Sequence, residues 1–308
     1  MTREELLAAA RKKLAAAGIQ APRREAEELL CFAEKISREE IFRAPEKKIS
    51  LLTRWRFSRL FRRRERREPL AFIFGEEEFA GVLLKTDARA LAPRPETELL
   101  VELAQEEIKR REGKAFVADV GTGSGAVILG IAHALTGELA LAPSSRRNQK
   151  ELIVKSQKLT VAQPQLAASD LSPRALSLAK ENARRLGVAV DFRLGDLLTP
   201  FVKKEIDILI SNPPYLSAED LRQAAPELNF EPKEALAGGE DGLLFYRRLF
   251  QEGRGKLAPG AALFLEIGAT QGAVVRRLAE ENFPSAHIEV LRDFAGKNRV
   301  VAIWLSES

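Results

Sequence analysis

The 308-residue sequence predicts an α/β fold: a doubly wound, mostly parallel seven-stranded sheet preceded by a small bundle of helices. Three observations lead there. From about residue 97 to the end, apolar strand-like runs alternate with amphipathic helical stretches. The first 68 residues carry helical periodicity alone. The run at 206–210 is continuously apolar, which suits a central strand buried on both faces.

Length and composition agree with this. Hydrophobic residues make up 45% and charged residues 30%, the balance of a globular chain with a sizeable core. No run reaches the roughly 18 apolar residues of a membrane span. The opening MTREELLAAARKKL is charged and helical in pattern, so no signal peptide is expected. One cysteine, Cys31, excludes an internal disulfide and is expected to be a small buried residue in a protein of the reducing cytoplasm. With His133 and His287 the only histidines, no metal site is expected. The net charge of +5 is uneven: residues 1–70 hold 19 Lys+Arg against 11 Asp+Glu, and the other 238 residues hold 30 against 33. The basic excess belongs to the first quarter of the chain and implies an acidic partner for it.

Residues 1–68 read as an N-terminal helical bundle. Thr2 and Glu5 form a capping box, followed by Leu6, Leu7, Ala10 and Leu14, with Gly18 as a stop. Pro22 opens a second helix carrying Ala26, Leu29, Leu30 and Phe32. Ser37 and Glu40 form another capping box. A fourth helix over about 50–67 has Leu52, Trp55, Leu60 and Phe61 as its expected buried stripe. Residues 69–96 read as a linker, with short strands at 71–74 and 82–84 forming a hairpin punctuated by Gly75 and Gly81. The large domain, 97–308, then runs through a helix at 98–110, a strand at 115–120, a helix to 135, a strand at 166–169 and a helix from Ser172-Pro173 to Leu186. Strands at 188–194 and 206–210 follow, then a helix at 242–252, a strand at 261–267, a helix at 271–280 and strands at 286–291 and 299–305. The polar stretch at about 143–163 interrupts this rhythm and reads as an insertion.

The chemistry is concentrated at two strand ends. Asp119 precedes Gly121-Thr122-Gly123-Ser124-Gly125, a turn between a strand and a helix. Glycines at alternate positions let backbone and ligand approach closely. The spacing is not the G-x-G-x-x-G of a pyrophosphate site, and a carboxylate there repels phosphate but attracts an ammonium. S-adenosylmethionine carries an ammonium and no phosphate. Asp170, ending the next strand, is expected to bind ribose hydroxyls, although it lies 45 residues beyond Gly125, an excess that matches the insertion. Asp196 and Leu197, after the third strand, are expected beside the adenine, although a surface aspartate after a turn reads as well.

Asn212-Pro213-Pro214-Tyr215 directly follows the central strand, where open parallel sheets bind ligands. Two prolines fix φ and remove two N–H groups, giving a rigid corner that presents carbonyls. A planar –NH2 is a poor nucleophile because its lone pair is delocalised. The Asn212 side-chain oxygen and the Pro213 carbonyl can each accept one of its N–H groups, and Tyr215 can pack on the planar group. Catalysis by Asn212, Pro213 and Tyr215 is then positioning and electrostatics, with no strong base.

These residues resemble the release factor N5-glutamine methyltransferases of the HemK/PrmC type, which are class I S-adenosylmethionine-dependent methyltransferases. The resemblance covers nearly the whole chain: Glu68–Ala71 with Phe72–Gly75, Pro93-Arg94-Pro95-Glu96-Thr97-Glu98, the glycine loop, the NPPY corner, Glu231-Pro232, Gly238–Leu243, Glu266-Ile267-Gly268 and Asp293–Arg299. It implies the class I methyltransferase sheet, S-adenosylmethionine as donor, and as substrate the glutamine of the Gly-Gly-Gln loop in a peptide chain release factor, with the helical bundle holding that protein. By motif match, Gly121–Gly125, Asp170 and Asn212 would bind the cofactor, Asn212 to Tyr215 would line the glutamine pocket, and 93–98 would border it. Glu96 and Glu98 also suit a helix N-terminus. Other targets remain open: a glutamine of a ribosomal protein, an adenine N6 amine of nucleic acid, or none, in a binding module that keeps the fold. Eight arginines in the helix at 54–67 fit either a solvated face or an incidental contact with RNA.

Overall fold

The computed structural model describes residues 1–137, 163–202 and 206–307; all of the 143–163 insertion except Gln163 lies outside them. The chain forms two compact units, Met1–Gly75 with Ala225–Phe230, and Glu76–Ala224 with Glu231–Ser308.

The first unit is helical. Both anticipated capping boxes are present, Thr2 with Glu5 before α1 (Arg3–Ala16) and Ser37 with Glu40 before α3 (Arg38–Arg43). Between them α2 (Pro22–Glu34) begins on its proline and ends at Lys35 in a left-handed conformation. Leu6, Ala10 and Leu14 of α1 pack with Ala26, Leu29, Leu30 and Ala33 of α2. Cys31 beside them is half-buried, not buried.

Two expectations need correction here. In α4 (Leu51–Glu65) the buried stripe is Phe57, Phe61 and Arg64. Leu52 and Trp55 are each 56% exposed, and Leu60 is half-buried. Phe61 is buried as expected; the rest of the stripe was missed because an arginine occupies one of its positions. The strand expected at 71–74 is a helical turn, α5 (Leu70–Phe74), which starts at Pro69 and stops at Gly75 with φ 75°. The Arg63 guanidinium, from the preceding helix, donates to the carbonyls of Phe72 and Ile73, satisfying acceptors that a helix end leaves open.

Arg64 is the charged centre of this unit. Its side chain is 6% exposed and pairs with Glu25 of α2 and with Glu227, from the distant segment 225–230. Arg67 donates to the other oxygen of Glu227 at 2.7 Å and to the carbonyl of Ala17. The exposed i,i+4 pair Arg24–Glu28 adds little to stability by comparison.

The second unit opens with a hairpin, β1 (Glu76–Phe79) and β2 (Val82–Lys85). Ala80 and Gly81 both have positive φ, 47° and 77°, the requirement of the tight turn that matches strand twist. The order then runs α6 (Glu98–Arg110), β3 (Phe116–Val120), α7 (Ala126–Leu135), β4 (Gln165–Asp170), α8 (Pro173–Leu186), β5 (Asp191–Leu194), β6 (Ile206–Ser211), α9 (Ala218–Arg222), α10 (Leu244–Gly253), β7 (Leu257–Glu266), α11 (Gly272–Asn282), β8 (His287–Arg292) and β9 (Asn298–Trp304). The sheet order is β5-β4-β3-β6-β7-β9-β8, parallel except for β9, which is antiparallel to both neighbours. This is the anticipated seven-stranded, mostly parallel sheet.

Alternation along the strands explains the two apolar layers. Val117, Ile208, Ile210 and Phe264 face one side, where α6 and α7 supply Leu100, Ala104 and Ile128. Ala118, Val120, Leu209 and Leu263 face the other, where α10 and α11 supply Tyr246, Phe250, Val275 and Ala279. The direction of chain winding reverses between β3 and β6, which opens a crevice at their carboxyl ends.

Replacing Arg64 by Ala strands two carboxylates, Glu25 and Glu227, against a partly buried surface. Denaturant unfolding should show a loss of about 3–5 kcal/mol, the magnitude for breaking a buried pair from one side. A loss below about 1 kcal/mol would place Arg64 with ordinary surface pairs.

Candidate active site

Three loops meet at the carboxyl ends of adjacent strands: 121–125 after β3, Asp170 at the tip of β4, and 212–215 after β6. Hydrogen bonds join them. Gly121 and Thr122 donate through their backbone N–H to the Ser169 carbonyl, and the Gly123 N–H donates to Asp170 Oδ2 at 2.8 Å. The Ser211 hydroxyl donates to the Val120 carbonyl at 2.6 Å, tying the base of the NPPY corner to the base of the glycine loop.

The glycines have distinct jobs. Gly121 and Gly123 adopt φ of 73° and 58°. A Cβ on Gly121 would meet no heavy atom within 4 Å, and one on Gly123 only Ala90 Cβ at 3.8 Å, so this face of the loop is open to a ligand. At Gly125 a Cβ would lie 2.9 Å from Leu129 Cδ1 and 3.2 Å from Ala179 Cβ, so this glycine serves close helix packing.

Asp119 is buried, and its Oδ2 accepts the Thr122 hydroxyl at 2.6 Å. Ser124 is buried as well. Thr122 and Ser124 therefore shape the loop from within. Burial pushes the Asp119 carboxyl up to about 7, although the Thr122 hydroxyl favours its charge. Asp170 accepts from Gly123 with one oxygen and from the Ser172 N–H at 2.8 Å with the other, and burial raises its pKa too. Asp196 lies after β5, one strand further out, where Arg248 donates to both its oxygens at 3.2 and 2.8 Å. Leu197 adopts φ 45° and its carbonyl accepts from Ser169. An open glycine face flanked by a carboxylate, Asp170, fits a ligand with hydroxyl and ammonium donors rather than a phosphate.

The corner is held from several sides. Pro213 is buried; Asn212, Pro214 and Tyr215 are half-buried. Asn212 Nδ2 donates to Thr97 Oγ1 at 3.3 Å. The Gln271 amide donates to the Tyr215 carbonyl at 3.0 Å, while its own oxygen accepts from Gly268. A Cβ on Gly238 would sit 2.8 Å from the Pro214 carbonyl and the Tyr215 backbone, and one on Gly242 2.4 Å from the Tyr215 carbonyl. Gly238 and Gly242 are thus the surface on which the corner rests. Tyr215 is raised to about 12 by burial and then by the Glu266 charge, so it stays a phenol and is no base at neutral pH.

Three contributors were given no role by the sequence, although Glu266 was named in the Glu266-Ile267-Gly268 motif. Glu266, at the end of β7, is 2% exposed; it accepts the Thr97 hydroxyl at 2.6 Å and lies 3.5 Å from the Tyr215 hydroxyl. Asn182 is buried on α8, donating to the carbonyls of Ser124 and Lys85 and accepting from the Lys85 N–H. Its place in the apolar stripe Ala175, Leu178, Ala179, Asn182 was a readable signal. Gln271 left no such mark.

A family model described as the PrmC N-terminal domain matches residues 5–75, and one described as an RMKL-like methyltransferase domain matches residues 110–233. A release factor glutamine methyltransferase from Moorella thermoacetica is 36% identical over 309 residues, covering 100% of both chains. Another, from Bacillus cereus, is 38% identical and covers 89% of each chain. The crystal structure of the hMettl16 catalytic domain in complex with an RNA hairpin from the MAT2A 3'UTR shares the fold, with a TM-score of 0.50 at 13% identity over 78% of this chain and 80% of that one.

Burial holds the Asp119 and Glu266 carboxyls at about 7, above the ordinary carboxylate range. Each binds its proton more tightly folded than unfolded, so its contribution to stability is complete below about pH 4 and is lost as pH rises through about 7. In thermal melts from pH 5 to 8 the wild type should lose melting temperature as pH rises, and Glu266→Gln should flatten that decline. An unchanged slope would mean that Glu266 is already ionised at pH 5.

Proposed function

We propose that this chain, which belongs to the release factor glutamine methyltransferase family, transfers a methyl group from S-adenosylmethionine to the side-chain nitrogen of a glutamine in the Gly-Gly-Gln loop of a peptide chain release factor. The observation that carries the reading is the position of the corner. Asn212–Tyr215 leaves the central strand β6 beside the β3 glycine loop, so a nitrogen held by the corner lies next to the cofactor crevice.

The residues in hand fit the cofactor. The open face of Gly121–Gly125, shaped from inside by Asp119, Thr122 and Ser124, would take its amino-acid part, Asp170 the ribose, and the 196–197 turn the adenine side. Asp196 would have to share its carboxylate with Arg248. When bound, S-adenosylmethionine supplies an electrophilic methyl group on a sulfonium.

The chain's own part is to hold and orient. The Asn212 side-chain oxygen and the Pro213 carbonyl each accept an N–H of the glutamine amide, so the nitrogen cannot rotate away. Two prolines make those acceptors rigid, and Gly238, Gly242 and Gln271 fix the corner from behind. Tyr215, protonated and half-buried, lines the amide pocket. Asn212 borders the cofactor crevice as well.

We further propose that the helical unit holds the protein substrate. Of its eight arginines at 54–67, Arg63, Arg64 and Arg67 are spent on internal pairs, whereas Arg54, Arg56, Arg59, Arg62 and Arg66 are exposed. An incidental RNA contact would fall on those five. Among the described residues no helix is long and apolar enough to cross a membrane. Together with the lone cysteine and a substrate that works on the ribosome, this favours the cytoplasm.

Incubation with labelled S-adenosylmethionine should mark a purified release factor and not its Gln→Ala loop variant, a ribosomal protein, DNA or RNA. Asn212→Ala should lower the rate by at least about a hundredfold while leaving the melting temperature unchanged. Label on nucleic acid, or full activity in Asn212→Ala, would overturn the reading.

A further inference from the structure

An asparagine used as an acceptor has a weakness that an oxyanion or a carbonyl lacks. Its amide is nearly symmetric in shape, and a half-turn about the last bond replaces the accepting oxygen with a donating NH2. A donor aimed at another –NH2 repels it. The site therefore needs something that settles which end of Asn212 faces the substrate.

We propose that Thr97 and Glu266 are positioning residues that set this orientation, an inference that rests on the function proposed above. Glu266 is buried at the end of β7, and the Thr97 hydroxyl, itself buried at the start of α6, donates to its Oε2 at 2.6 Å. A hydroxyl has one hydrogen. Once Thr97 has given it to the carboxylate, its oxygen can only accept, and the group it faces, at 3.3 Å, must be the Asn212 NH2. The Asn212 oxygen is thereby turned to the other side, as the acceptor for the substrate amide.

With Glu266 ionised, the form that takes over as pH rises through about 7, the direction of the chain is fixed by its terminus. Carboxylate accepts from hydroxyl, hydroxyl accepts from amide, and amide is left to accept from substrate. The two ends of the hydroxyl bond lie 169 residues apart in sequence. Two neighbours favour the ionised, accepting form of Glu266 against the effect of burial: the Tyr215 hydroxyl stands by its second oxygen, and the Arg299 charge acts on it from β9. Glu96, also close, opposes its charge. Neither Thr97 nor Glu266 needs to touch substrate.

Thr97→Val keeps the shape and removes the hydroxyl; Thr97→Ser keeps the hydroxyl. With a purified release factor and labelled S-adenosylmethionine, Thr97→Val should lower kcat by about tenfold to a hundredfold, the range for a mispositioned reacting group, with both KM values within about twofold of wild type. Thr97→Ser should recover kcat to within about threefold of wild type. Full kcat in Thr97→Val, or equal losses in Val and Ser, would overturn the proposal. So would a loss in Thr97→Val that comes with raised KM values and a lowered melting temperature, since that marks a packing role. Failure of the wild type to label the factor would instead remove the proposed function itself, and the relay with it.

Discussion

A carboxyl group at the end of a central strand, shut away from water, has to be satisfied by its neighbours. Glu266 is in that position. Leaving such a group without partners costs on the order of 1–3 kcal/mol, and more when it is charged. The neighbours that meet this demand are drawn from three separate stretches of sequence: Thr97 at the start of α6, Tyr215 in the NPPY corner, and Arg299 on β9. The backbone carbonyl of Glu266 also accepts the Tyr246 hydroxyl of α10. One buried acid thus draws the corner, the α6 entry and the antiparallel strand β9 towards a common point.

The same logic governs the cofactor half. Asp119 and Asp170 are both raised by burial, and both are held by groups of the glycine loop itself. The loop gets its shape from carboxyl oxygens below it and keeps its upper face open at Gly121 and Gly123. Rigidity in both halves comes from acceptors fixed before any ligand arrives, as positioning catalysis requires.

What could be read from the sequence was what lies close together along the chain. Capping boxes, Pro22 and the alternating glycines each declare a local conformation, and the structure has them where they were expected. The inner strand β6 was legible because both its faces are covered, which makes it almost wholly apolar, whereas the edge strands β5 and β8 carry charged residues and were legible from their alternation with helices. Errors arose where a distant residue decides the outcome. Residues 71–74 look extended, yet they coil into a turn whose last carbonyls are capped by Arg63 of the preceding helix. The stripe on α4 was misplaced because Arg64 is buried by partners at 25 and 227. The Thr97–Glu266 bond had no local signature. Asn182 did have one, a lone amide in an apolar helix stripe.

The excursion of residues 225–230 into the helical unit bears on how such a protein can be cut or recombined. The boundary near Gly75 looks like a seam along the chain, but it is crossed a second time by a segment whose Glu227 is held by Arg64 and Arg67. A fragment starting at residue 76 would carry that glutamate without its arginines, and the detached bundle would keep the arginines without the glutamate. Grafting the bundle onto another catalytic domain would meet the same obstacle. The two stretches are therefore expected to be exchanged together or not at all, which makes the chain a poor subject for modular transplantation despite the apparent seam in its sequence.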